Sequence, residues 1–311
     1  MSATHSDPPA TAGSPRGTLG PMNKARVSWP ALFWIVTVGL VTLLVFAPLL
    51  TSLGRVSWHV GQLTTGGLLV LVAIVLCLRD SLATLRFEPQ FTRHGAVLLA
   101  WGLVCLGLTG LARRWALPLA LLSFCLCIAA VIAFLFGRVG LRQFLPAIGA
   151  FFVFGLFAGL FPTLDWPLRA IAGQQAANVL AMLHVPGQLL LAADRPAELV
   201  LQAGDRNYIV ATECNGVGLL TSAVLVATIL AFQGRLPWLS KLGLVALAVP
   251  IAIAGNFLRI VGIALVAPRV SLAYGFIHEA VGLVFYGAGL TAVWWAARRS
   301  AIPPRKENAP C

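Results

Sequence analysis

The chain has 311 residues, of which 59% are hydrophobic and only 10% charged, at a mean hydropathy of +0.89, whereas an ordinary soluble domain carries roughly 25% charged residues. No water-soluble core of this length hides so much apolar surface, so lipid is the expected solvent. The net charge of +12 rests on Lys and Arg that sit almost entirely between apolar runs, which is the pattern of membrane topology signals, so no nucleic-acid partner is expected.

Residues 1–28, rich in Ser, Pro, Thr and Gly, read as a disordered cytoplasmic tail. The apolar run from Trp29 has no small-residue cleavage signature after it and reads as a retained span, not a removed signal peptide. A hydrocarbon core about 30 Å thick takes roughly 20 apolar residues to cross. Runs near that length fall at 29–50, 60–78, 95–111, 116–136, 144–161, 214–232, 242–266 and 278–297. The fold class expected is therefore an all-α polytopic membrane protein of about eight transmembrane helices, with the membrane domain at 29–300 and a second cytoplasmic tail at 301–311.

Eight spans put both termini on one side. With the termini inside, the inner segments hold fourteen Lys and Arg and the outer segments seven, a two-to-one bias that places both termini in the cytoplasm of the cell inner (plasma) membrane. The insert at 162–213 carries Asp165, Asp194, Glu198, Asp205 and Glu213, five of the ten acids, and lies outside. Its first part, 165–183, sets Leu168, Ile171, Val179 and Leu180 among Arg169, Gln174, Gln175 and Asn178, which predicts an interfacial amphipathic helix. After Pro186 and Gly187 come short alternating runs at 188–191, 198–202 and 207–211, separated by turn signals. Together they predict a small extracytoplasmic cap, an amphipathic helix plus short β-like segments, leading into Glu213-Cys214-Asn215-Gly216.

Cys77, Cys105, Cys125 and Cys127 lie within apolar runs and read as small buried hydrophobes; only Cys214 and Cys311 lie near water, and Cys311 in its tail reads as a reduced bystander. No HExxH, CxxC, P-loop or GxSxG motif is present, so neither a metal nor a nucleotide cofactor is expected. No internal repeat and no matched pair of broken helices marks a transporter.

Ionisable groups within spans are costly and point to function. Cys214 opens the sixth span, Arg259 sits about two turns within the seventh, and His278 opens the eighth, all at the outer end. A thiolate is the reactive form of Cys, favoured by a nearby cation or a helix N-terminus. An imidazole can carry the thiol proton to a leaving amine, and a guanidinium can stabilise the thiolate or an oxyanion, so the three suffice for acyl transfer. Asn256, three residues before Arg259, shares its helix face and could orient the guanidinium, a substrate carbonyl or a neighbouring helix. Glu213 could raise the thiol pKa or pair with Arg259.

Glu213-Cys214-Asn215-Gly216-Val217-Gly218, then Pro250 with Asn256-Phe257-Leu258-Arg259, then His278-Glu279-Ala280-Val281-Gly282, resemble the exosortase/archaeosortase family of polytopic cysteine transpeptidases. The resemblance implies Cys214 as nucleophile, His278 as general base and acid, and Arg259 as electrostatic stabiliser. It also implies substrates: exported proteins whose C-terminal sorting signal joins a short motif, a transmembrane helix and a basic tail, cleaved through a thioester that passes to an acceptor amine or water. Asn215 stands where the family usually has Ser, a departure that bears on the sorting signal recognised. A reading of another class, a transporter or a non-catalytic component of envelope-polymer assembly, would use Arg259 to bind an anion and leave Cys214 dispensable.

Overall fold

A computed structural model describes residues 29–82, 87, 89–191, 199–210, 216–233, 236–270 and 273–300. The predicted tails at 1–28 and 301–311, with Cys311, lie outside the described residues. Among those residues the chain forms seven helices: α1 (Trp29–His59), α2 (Gly61–Leu82), α3 (Arg93–Leu111), α4 (Ala116–Met182), α5 (Val217–Gln233), α6 (Trp238–Val266) and α7 (Tyr274–Ser300). Three strands, β1 (Gly187–Leu191), β2 (Leu199–Ala203) and β3 (Arg206–Val210), separate α4 from α5. The chain is an all-α multi-pass membrane protein with a small β cap. Five segments are long and apolar enough to cross a bilayer, and α2 and α5 hold the shorter apolar stretches Leu63–Arg79 and Val217–Gln233.

α4 counts as one of those five segments but has two arms. Gly137, at φ 64° and ψ −161°, leaves helical geometry, in a region of backbone space open mainly to glycine. The arms, 116–136 and 138–182, take two of the predicted runs. Here one predicted boundary changes: the amphipathic stretch 165–183 is not a separate helix but continues the second arm through Pro162 and Pro167. Proline's fixed φ fits a helix, and its cost is a lost hydrogen bond and crowding of the preceding turn. Packing on both sides of the prolines carries the rod across, with Ala158 and Phe161 buried before them and Ala172, Ala176, Ala177 and Leu180 after.

The rod ends where His184 turns left-handed at φ 62°. Val185 N–H donates to Leu180 O at 3.0 Å and His184 N–H to Ala181 O at 3.1 Å, closing the last carbonyls in a Schellman arrangement. β1, β2 and β3 then pair as an antiparallel meander in that order, near the predicted runs, with Gly204-Asp205 making the second turn between Ala203 and Arg206. Leu199, Leu201 and Ala203 of β2 are buried together with Ala172, Ala176 and Leu180 of α4 and Ile260, Val261 and Ala264 of α6. This packing fixes the cap to the end of α6 that carries Arg259. α5 packs against α2, α4, α6 and α7 and forms the centre of the C-terminal half.

Candidate active site

Of the predicted site residues, Asn256, Arg259 and His278 are described, whereas Glu213, Cys214 and Asn215 lie outside the described residues. α6 carries Asn256 and Arg259 one turn apart on the face toward α5 and α7, and His278 sits in the second turn of α7. The two cationic-type side chains meet: Arg259 Nη2 lies 3.2 Å from His278 Nε2. A guanidinium has donors only, so a hydrogen bond here makes Nε2 the acceptor, as in the tautomer that carries its proton on Nδ1. Arg259 is only half-buried, yet it turns toward α7, not outward along the helix.

Two close approaches make this arrangement possible. At Gly282, one turn beyond His278, a Cβ would stand 3.0 Å from Arg259 Nε and 3.2 Å from its Cζ, so the missing side chain is the room that the guanidinium occupies. Gly216, directly ahead of α5, has φ +76°, and a Cβ there would stand 2.6 Å from Asn256 Cγ. Both the backbone conformation and the contact therefore require glycine. Gly216 O accepts the N–H of Leu220 at 2.8 Å and so starts α5 against Asn256, which is 3% exposed.

An aromatic path joins the pair to the cap. The Tyr274 ring lies 6.1 Å from the His278 ring at 37°, and Tyr208 of β3 stacks on Tyr274 at 6.4 Å and 30°. Neither tyrosine was among the expected site residues. The signal for Tyr274 was its position four residues before His278, on the same helix face. Beside the pair opens a cavity of about 160 Å³, with Gly216, Asn256, Arg259 and Gly282 among its walls, and Thr65 and Tyr286 as well. Among the described residues no three His, Cys, Asp or Glu side chains gather as metal ligands.

A family model described as transmembrane exosortase matches residues 57–295 of the chain. No curated protein and no solved structure matches it.

Proposed function

Because the chain belongs to the transmembrane exosortase family, we propose that it is a protein-sorting cysteine transpeptidase that cleaves the C-terminal sorting signals of exported proteins. The contact between Arg259 and His278 across 3.2 Å carries this reading, since it joins two of the three groups the chemistry needs. The third, Cys214, stands two residues ahead of Gly216, whose backbone packs against Asn256.

The steps follow from the donor inventory. As the substrate carbonyl enters, Arg259 turns its donors to the carbonyl oxygen, and Nε2 of His278 is released to take the Cys214 proton. The positive end of α5 favours the thiolate. Sγ attacks the carbonyl carbon, Arg259 stabilises the oxyanion, and the C–N bond breaks as His278 returns its proton to the leaving amine. The product is a thioester on Cys214. An acceptor amine or water then attacks, His278 takes its proton, and the thiolate leaves. Asn256 orients the substrate carbonyl or the guanidinium, and Glu213 and Asn215 flank the nucleophile. The reading sets this site on the extracytoplasmic side with both termini in the cytoplasm, and the two-to-one excess of Lys and Arg in alternate loops supports it.

The test is co-expression with a tagged exported protein bearing a C-terminal sorting helix. Cys214→Ala is expected to stop processing entirely while the chain inserts at normal level, and a thioester adduct releasable by hydroxylamine should form only when Cys214 is present. Normal processing by Cys214→Ala would refute the assignment.

A further inference from the structure

We propose that the gap between α2 and α7 seats the substrate's transmembrane helix, with the cavity at its head receiving the residues that link this helix to the scissile bond. The inference rests on the sorting-transpeptidase reading. Among the described residues α2 and α7 each pack along α5 but form no comparable interface with each other. The cavity of about 160 Å³ lies in that gap, walled by Thr65 of α2, Gly218 and Leu219 of α5, Arg259 of α6, and Gly282 and Tyr286 of α7.

The wall residues fix a direction. Thr65 lies in the second turn of α2, Gly218 in the first of α5 and Gly282 in the third of α7, so all three helices start at the end of the bundle where the reactive pair sits and run away from it. Beyond the head the rims are apolar and exposed, with Leu68 and Val72 on the Thr65 face of α2 at 58% and 50% and Leu283 of α7 at 74%. A polypeptide leaving the Arg259–His278 pair by this route enters hydrocarbon, where its backbone must satisfy its own N–H and C=O groups and is therefore helical. Small wall residues let such a helix come close. A phospholipid could set its phosphate on Arg259 and its chains on the rims, but the transpeptidase reading requires the occupant to bring a scissile carbonyl to that guanidinium and an apolar length to the rims. A peptide offers both. The occupant is an apolar helix of about 20 residues lying parallel to α2, α5 and α7.

Disulfide cross-linking in native membranes tests the seat independently of turnover. Full-length chain carrying Cys214→Ala, Cys311→Ser and Thr65→Cys is paired with substrates bearing single cysteines along the sorting helix. A matched chain carries Leu103→Cys on α3, where the residue is 56% exposed. Thr65→Cys is expected to capture positions near the head of the sorting helix, recurring every three to four residues, at least tenfold over Leu103→Cys. Equal capture at Leu103→Cys, no capture at Thr65→Cys, or a Thr65→Cys homodimer would overturn the seat while leaving Cys214-dependent processing intact. Processing that persists in Cys214→Ala would instead remove the transpeptidase reading, and the seat with it.

Discussion

α3 and α5 are apolar helices of 19 and 17 residues, and the bundle uses them in opposite ways. α3 buries only Gly95, Gly102 and Cys105, and Trp101, Leu103, Val104 and Leu111 face outward. α5 buries eleven of its seventeen residues, including Thr221, Ser222 and Thr228. In lipid a large apolar side chain gains little by hiding, so hydropathy does not say which helix is central. Hydropathy reports that both helices belong in the membrane. What sets the two sequences apart is hydroxyl content, three buried Ser and Thr residues in α5 against the single Thr109 in α3.

The comparison breaks first at the heads of these helices. Gly216→Ala sets a Cβ 2.6 Å from Asn256 at a left-handed backbone position, where strain is on the order of 1–3 kcal/mol. Because it acts beside the reactive groups, processing per inserted molecule should fall at least tenfold, read as cleavage rate normalised to protein level. Full activity would mean that the start of α5 does not position the site. On α3, Gly102→Ala places a Cβ 2.8 Å from Cys127 Sγ and 3.3 Å from Ser123 O, an overpacking expected to cost about 1–3 kcal/mol. Here thermal stability in detergent should drop while the rate per folded molecule stays unchanged. A loss of rate would show that the rim of the bundle reaches the site. The smallest effect is expected within α5. Thr221 is fully buried, and among the described residues its Oγ1 has no hydrogen-bond partner. Thr221→Val keeps the shape and removes the orphan hydroxyl, so stability should hold or rise by up to about 1 kcal/mol.

The membrane character of the chain and its short strands were legible because hydropathy and a period of two are local signals. The candidate site was half legible. Arg259 and His278 could be placed at one depth from span ends alone, but that their helices are neighbours, with Gly282 vacating space for the guanidinium, is a property of packing. Thr65 and Tyr208 were invisible for the same reason, since nothing at position 65 points to position 286. The break in α4 at Gly137 was legible, falling between the runs 116–136 and 144–161, whereas the further boundary expected at Pro162 is absent because tertiary contacts hold the helix through Pro162 and Pro167. Glu213, Cys214 and Asn215 lie outside the described residues, so their part in the site stays with the sequence and the family.

The second arm of α4, 138–182, has a contour of about 68 Å at 1.5 Å per residue, more than twice the roughly 30 Å of a hydrocarbon core. One end is embedded among α1, α2 and α5, and the other carries the meander that stacks on Tyr274. The cap is therefore mounted on a strut and not tethered by a loop. The meander's position over the site is thereby set by helix packing at Ala172, Ala176 and Leu180, not by the length of a connecting segment.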